Sequence, residues 1–502
     1  MKYLLNHEQM QQCDINTMEY FGVISPVLME RAALCMTEEI LRVTGGKQEP
    51  VLIVCGTGNN GGDGLAAARM LMQKEIPVDI WYPGNEEKAS TEGKRQLAIV
   101  RKYRTPVYKV APEKIYGCIV DCLFGIGLSR EVGGIYKDVI ARMNEMSGIK
   151  VAADIPSGIH TDSGQVMGIA FRADLTVTFG FRKLGHVLFP GADYCGEVVL
   201  KDMGIDRYSL LDMQNLAFHL EEEDLAQIAK RPQRSNKGTY GKLLLIAGAR
   251  NMAGAAVLAA KGAYAAGAGL VRVVTPECNR EIIQKLVPEA VLTTYEEDAE
   301  DLGFLEECFS WADAIATGPG LGQSDTSERI LEAVLRTEDK KVLLDADALN
   351  LVAKQADVTL PKQCVITPHL GEMQRLSNTP VKDQQKELIK VALDFAKGYN
   401  TVVVLKDAHT VIAGPGAETC INLTGNPGMA VGGSGDVLSG VIGYLLAAGQ
   451  DAFPAACMGV YIHGRAGDLA AAQNGMAGMS ASDLVPSVKE VMRLAEMRGN
   501  DR

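Results

Sequence analysis

Five consecutive residues, Gly432-Gly433-Ser434-Gly435-Asp436, place an acid where a run of glycines gives way to a long apolar stretch. Glycines let a ligand approach the backbone, and a helix beginning near Ser434 directs free N–H groups and its positive dipole end at an anion. A carboxylate just inside that turn can accept a proton from a hydroxyl as it receives a phosphoryl group. An aspartate serving only the first helical turn is the plainer alternative, but three flanking glycines and an apolar helix exceed what a cap requires. No GxxxxGKS or GxxxxGKT segment occurs, so phosphates need another cradle. Gly435 and Lys406-Asp407-Ala408-His409-Thr410 are the candidates. The latter follows the apolar run Val402–Leu405 and reads as a hairpin beside a nucleotide, with His409 reading equally as a surface histidine. Gly318-Pro319-Gly320-Leu321-Gly322 and Thr367-Pro368-His369-Leu370-Gly371-Glu372 also follow short strands and should line the same crevice.

A second constellation lies in the first half. Val51–Cys55 reads as a buried strand running into Gly56-Thr57-Gly58-Asn59-Asn60-Gly61-Gly62-Asp63-Gly64 and then a helix. Gly56-x-Gly58-x-x-Gly61 matches the dinucleotide fingerprint. An ordinary dehydrogenase fits poorly: its acidic ribose ligand should end the second strand, whereas Asp79 sits in the middle of Val78–Trp81. Two further strand ends are polar, at Asp121 and at Asp154-Ile155-Pro156-Ser157-Gly158. Ligands bind outside the carboxyl ends of parallel strands, so the three loops should face one crevice. Asn60, Asp121 and Ser157 then offer oxygen ligands to a hard cation, and Asp154 is a candidate acid/base. Singly, Asp121 or Asp154 would read as a turn cap. Three such loops at consistent strand ends favour a site.

The elements that must position these residues form two α/β series. Strand-like runs at Val51–Cys55, Val78–Trp81, Cys118–Cys122, Lys150–Ala153 and Leu175–Phe179 alternate with helical patterns near Leu65–Lys74 and Gly93–Tyr103, which predicts a doubly wound parallel sheet. The alternation restarts with Lys242–Ala247, Leu270–Val274, Ala312–Ala316, Val342–Leu344, Val365–Ile366 and Val402–Leu405, ending in apolar helices after Ser434. Between Met203 and Arg234 the rhythm is lost, so domains are expected over 1–215 and 225–502. The two halves share no repeat.

A net charge of −12 with no long Lys/Arg cluster argues against a nucleic-acid partner and for small-molecule substrates. No apolar run reaches signal-peptide or membrane-spanning length, which predicts a cytoplasmic protein without a membrane partner. Eleven cysteines form no CxxC pair and read as reduced core thiols rather than zinc ligands.

Asn59–Gly64 together with Asp154–Gly158 resembles the epimerase domain of the bifunctional NAD(P)H-hydrate repair enzymes, over most of residues 1–215. The resemblance implies a Rossmann-like sheet and a dinucleotide hydrate held by Asn59, Asn60, Gly61, Gly62 and Asp63 and by Gly125-Ile126-Gly127-Leu128-Ser129-Arg130-Glu131. It also implies K+ on Asn60, Asp121 and Ser157, and Asp154 as the catalytic, substrate-binding carboxylate. Residues 225–495 resemble the ADP/ATP-dependent NAD(P)H-hydrate dehydratases, a ribokinase-like branch, through Lys237–Gly241, Ala253–Ala256, Ala266–Val271, Asp345–Leu349 and Gly432–Asp436. That implies substrate contacts from Ala255, Gly320, His369 and Asp436. Lys406, Asp407, Ala408, His409, Thr410 and Gly435 would hold ADP or ATP with Mg2+, and Asp436 would be the base. The family also implies a homo-oligomer. Two rivals remain open: a ribokinase-like small-alcohol kinase fused to a nucleotide-binding module, and a first half that is a silent binding module.

Overall fold

The computed structural model describes residues 1–355 and 357–498, and the chain divides into two compact units, Tyr3–Leu216 and Met1–Lys2 with Ala217–Arg502. The first is built on seven parallel strands in the spatial order Val107–Tyr108, Val78–Trp81, Val51–Cys55, Cys118–Cys122, Ile149–Ala153, Leu175–Phe179 and Glu197–Lys201. Their continuous apolar character follows from burial on both faces, since helices cover a parallel sheet on either side. Strand order reverses between Val51–Cys55 and Cys118–Cys122, which makes the carboxyl ends of these two neighbours the natural ligand crevice.

The helix after Val51–Cys55 spans Asn59–Gln73 and so begins six residues before the expected Leu65. The glycine-rich segment is helical because its glycines let the first turns press on the sheet. A Cβ on Gly61 would lie 2.0 Å from the Gly56 carbonyl oxygen, and one on Gly64 would lie 2.7 Å from Cys122 Sγ. Two strands of this sheet escaped the sequence reading, Val107–Tyr108 and Glu197–Lys201, both at its edges where burial is partial. The chain's first helix, His7–Ile15, carries a capping box in which Asn6 accepts from Gln9 N and Gln9 returns the bond.

The second unit runs Val291–Tyr295, Leu270–Pro276, Lys242–Ile246, Ala314–Thr317, Lys341–Leu344, Gln363–Ile366 and Val402–Leu405 as parallel neighbours. It then turns antiparallel through Val411–Ala413 and Thr419–Ile421. Its reversal point lies between Lys242–Ile246 and Ala314–Thr317. The helices Ala253–Ala266 and Ser434–Ala447 pack backbone to backbone: a Cβ on Gly440 would sit 2.0 Å from the Ala259 carbonyl oxygen, and one on Gly262 would sit 2.6 Å from that of Val437. Among the described residues no helix is long and apolar enough to cross a membrane.

Candidate active sites

In the first unit the reversal point carries a cavity of about 390 Å³ lined by Thr57, Gly58, Asn59, Asn60, Leu123, Phe124 and the run Gly125–Arg130. The structure therefore brings together Asn59, Asn60, Gly125, Ile126, Gly127, Leu128, Ser129 and Arg130. Gly61 and Gly62 are buried against neighbouring backbone and side chains and do not line it. Glu131 is exposed beyond its rim.

Beneath the cavity the three expected cation ligands form one network. Asp121 is fully buried. Its Oδ1 accepts from Ser157 Oγ at 2.7 Å and from Leu123 N at 3.1 Å, and its Oδ2 accepts from Ser157 N at 2.7 Å. Ser157 Oγ takes the Phe124 N–H at 2.9 Å, and Asn60 Nδ2 donates to the Phe124 carbonyl at 2.9 Å. Burial pushes the Asp121 carboxyl up to about 6, only partly offset by the Ser157 and Leu123 hydrogen bonds. No lysine or arginine pairs with it among the described residues. A buried carboxylate beside a hydroxyl, a side-chain amide and a carbonyl suits a cation that needs several oxygens. No cluster of three or more His, Cys, Asp or Glu suited to a metal occurs among the described residues.

Asp154 follows the next strand, Ile149–Ala153, with a left-handed φ of 64°. Its Oδ1 receives the Lys183 ammonium and the Thr178 hydroxyl, the latter at 3.1 Å. Lys183 is fully buried and also donates to Thr178 Oγ1 at 2.8 Å and to the Phe179 carbonyl at 3.1 Å. Sequence reasoning missed this lysine, because the twenty-nine residues separating it from Asp154 hide the pairing. His186 braces the same loop: Nδ1 accepts from Lys183 N at 3.0 Å, which leaves the ring proton on Nε2 to donate to the Asp154 carbonyl at 2.8 Å. Burial, then the Lys183 charge, pushes His186 down to about 3, so it stays neutral.

In the second unit Gly433 holds φ at 94°, a left-handed turn that opens the helix Ser434–Ala447. A Cβ on Gly435 would lie 3.6 Å from Lys406 Nζ and 3.8 Å from Asp345 Oδ2, so those two groups crowd the helix start. Lys406 Nζ is 3.0 Å from Asp345 Oδ1, and Ser439 Oγ donates to Asp345 Oδ2 at 2.6 Å. Burial opposes the Asp345 charge, but Lys406 and the hydroxyls of Ser439 and Thr367 hold its carboxyl below the ordinary value. Asp436 is driven the other way: burial and then the Asp345 charge raise it to about 7.

The expected hairpin is present, with Asp407, Ala408, His409 and Thr410 turning the chain from Val402–Leu405 into Val411–Ala413. Lys406 N donates to the Pro368 carbonyl at 2.8 Å, which sets the His369 loop beside the hairpin. His369 Nδ1 accepts from Gly371 N at 3.0 Å and caps the helix Leu370–Ser377. Ala255 and Gly320 face each other, a Cβ on Gly320 falling 2.9 Å from that of Ala255. Asp345 was legible in the sequence as part of a motif but not as a member of the site. Its role rests on a lysine sixty-one residues away.

The model for YjeF-related protein N-terminus matches residues 25–185. The solved structure of a ribokinase-like superfamily protein from Enterococcus faecalis is 30% identical with a TM-score of 0.52, covering 57% of this chain and 98% of that one. The ADP/ATP-dependent NAD(P)H-hydrate dehydratase of Bacillus subtilis, co-crystallized with ATP/Mg2+, is 33% identical with a TM-score of 0.50, covering 56% and 99%. Fold and sites thus define a two-part α/β enzyme, a Rossmann-like unit followed by a ribokinase-like one. The NAD(P)H-hydrate dehydratase model matches residues 243–490. The bifunctional NAD(P)H-hydrate repair enzyme Nnr of Thermofilum pendens is 36% identical over 497 residues, covering 96% of this chain and 94% of that protein. The chain belongs to the family of bifunctional NAD(P)H-hydrate repair enzymes.

Proposed function

We propose that residues 1–215 interconvert the R and S epimers of hydrated NADH or NADPH, and that residues 225–502 dehydrate the S epimer at the expense of ADP or ATP. The observation that carries the reading is the Gly433–Asp436 helix start, where Lys406 and Asp345 converge on Gly435 and Asp436 stands within the first turn. The helix N–H groups and Lys406 suit the nucleotide phosphates, supported by Asp407, Ala408, His409 and Thr410 of the hairpin. Magnesium bound with the nucleotide supplies charge neutralisation at the phosphates. Ala255, Gly320 and His369 supply the wall for the hydrated ring.

Asp436 takes the proton of the substrate hydroxyl as that oxygen is phosphorylated, and elimination of the phosphorylated oxygen restores the dihydronicotinamide. A carboxyl raised to about 7 is matched to that task, since a general base works best near the operating pH. In the first unit the hydrate carries its hydroxyl on the ring carbon beside nitrogen. Asp154 is the group that moves its proton while Asn59, Asn60, Asp63 and Gly125–Glu131 hold the dinucleotide. Potassium on Asn60, Asp121 and Ser157 supplies a fixed positive charge beside the loop, and the uncompensated Asp121 carboxylate supports that ion. A homo-oligomeric assembly belongs to the same proposal and is read by light scattering.

The test follows the reduced-nicotinamide absorbance of mixed-epimer NADH hydrate with magnesium and ADP or ATP. Complete recovery of NADH is expected. Recovery limited to the S fraction would remove the epimerase assignment, and no recovery with either nucleotide would remove the dehydratase assignment.

A further inference from the structure

The helix Ser434–Ala447 starts without a side-chain cap, because its N-cap residue is Gly433 and offers nothing to the free N–H groups of the first turn. Two of those groups stay open: Gly435 N and Asp436 N hydrogen-bond to no described residue. What fixes the start comes from behind it, from the helix Ala452–Asn474. His463 on that helix is buried, and its Nε2 lies 2.9 Å from the Ser434 carbonyl oxygen. A carbonyl only accepts, so Nε2 carries the ring proton and donates it. The same nitrogen is 3.4 Å from Ser434 Oγ. Burial, opposed by the Ser434 hydrogen bond and aided by the Lys406 charge, drives His463 down to about 4, so the ring stays neutral.

The same helix also holds the loop that leads into this start. Asp468 accepts from Gly425 N at 3.1 Å and from Asn426 Nδ2 at 3.2 Å. Asn426 Oδ1 in turn caps the turn Pro427–Met429 by accepting from Gly428 N at 3.0 Å. Gly464 and Gly467 let the helix press on the loop: a Cβ on Gly464 would lie 2.7 Å from the Thr424 carbonyl oxygen, and one on Gly467 would lie 2.7 Å from Met429 Cγ. His463, Gly464, Gly467 and Asp468 share one helix face. That face therefore anchors the loop by a hydrogen bond at each end, Asp468 at its beginning and His463 where it becomes helix.

The Ser434 carbonyl and the Gly435 N–H belong to one peptide unit, which is planar and trans, so its oxygen and its hydrogen point in opposite directions. Whatever holds the oxygen also aims the N–H. We propose that His463 is a positioning residue for dehydration: by holding the Ser434 carbonyl it aims the Gly435 N–H at a phosphate of ADP or ATP. This rests on the reading that the nucleotide phosphates meet this helix start beside Lys406. The hydrogen bond acts in a second way, because a peptide whose oxygen already accepts is polarised and its N–H becomes a stronger donor. His463 itself exchanges no proton with substrate or nucleotide.

The experiment titrates full-length wild type, His463→Leu, His463→Asn and His463→Gln with ADP, ATP and adenosine in a calorimeter, with Lys406→Met as the reference. Leucine has no donor, an asparagine amide is too short to reach the Ser434 oxygen, and a glutamine amide can take the place of Nε2. A hydrogen bond to a charged group is worth roughly tenfold or more in affinity and weakens steeply when misaligned. His463→Leu and His463→Asn should therefore bind ADP and ATP about tenfold more weakly, with adenosine binding and the KM for S hydrate unchanged. His463→Gln should return to within about threefold of wild type. Thermal melts check each fold, and if His463→Leu does not melt cooperatively, the contrast between His463→Asn and His463→Gln decides. A folded His463→Leu or His463→Asn protein within about threefold of wild-type nucleotide affinity overturns the proposal. So does His463→Gln binding no better than His463→Leu, or adenosine binding lost in equal measure, since either outcome makes the ring a matter of packing alone. Lys406→Met that binds both nucleotides as wild type does removes the nucleotide reading of this helix start, and the inference with it.

Discussion

Asp345 ties Lys406 to the helix Ser434–Ala447: one of its oxygens lies 3.0 Å from Lys406 Nζ and the other accepts from Ser439 Oγ at 2.6 Å. Ser439 lies in the second turn of Ser434–Ala447, so a single buried carboxylate holds the lysine and the helix start in one frame. Preorganised charge of this kind avoids reorganisation when negative charge develops.

Lys406→Met should weaken nucleotide use without touching the first site. A hydrogen bond to a charged group is worth about 1.5–3 kcal/mol, roughly ten- to more than a hundredfold in affinity. The nucleotide concentration for half-maximal dehydration should rise by about that factor. Steady-state titration with ADP and ATP reads it, and epimerisation of the same preparation should be unchanged.

Asp436→Asn should abolish dehydration and yet stabilise the protein at high pH. The folded-state pKa is raised to about 7 by burial and Asp345, so the folded form holds a proton that the unfolded chain has already released. The penalty is absent below the unfolded carboxyl range, grows as pH rises to about 7, and is full above that. Thermal melts should show the variant more stable than wild type at pH 8 and no more stable at pH 4. In wild type the dehydration rate should fall as pH drops below about 7, because the base becomes protonated.

Lys183→Met leaves Asp154 without its cation in a buried setting. Breaking a buried pair by removing one partner costs about 3–5 kcal/mol, so denaturant unfolding of the first unit should shift to lower concentrations by a corresponding margin. Epimerisation should be lost with it, as the Asp154 charge is no longer held.

Potassium should stabilise the first unit if Asp121 holds it. At about a hundredfold excess over its dissociation constant, a ligand binding only the folded form adds about 2.7 kcal/mol. The melting transition in potassium chloride should exceed that in tetramethylammonium chloride of equal strength. Asp121→Asn should erase the difference.

Buried parallel strands were the most legible part of the fold. Val51–Cys55, Val78–Trp81, Cys118–Cys122, Leu175–Phe179 and Val402–Leu405 stand where their apolar runs predict, because a strand covered on both faces is mostly apolar, Asp79, Asp121, Thr176 and Thr178 being its buried polar exceptions. Glu197–Lys201 was not legible: charged residues flank a run of only three apolar ones, and none of the five is buried. The three loops at the first crevice could be read from strand ends alone, since topology rather than contact puts them there. Lys183 and Asp345 could not. Each owes its place to partners far along the chain, and a buried lysine looks like any other lysine until the fold supplies its carboxylate.

Gly262 and Gly440 are not among the proposed site residues, yet the contact they permit between two helices leaves no room for even a methyl group. Their neighbours there are backbone atoms, which no rotamer change can move aside. A deep mutational scan scored on NADH recovery should therefore leave these two positions as bare as Asp436. Evolutionary drift in the second unit is confined as firmly by this seam as by its chemistry, and a lineage that altered its substrate would still be expected to keep both glycines.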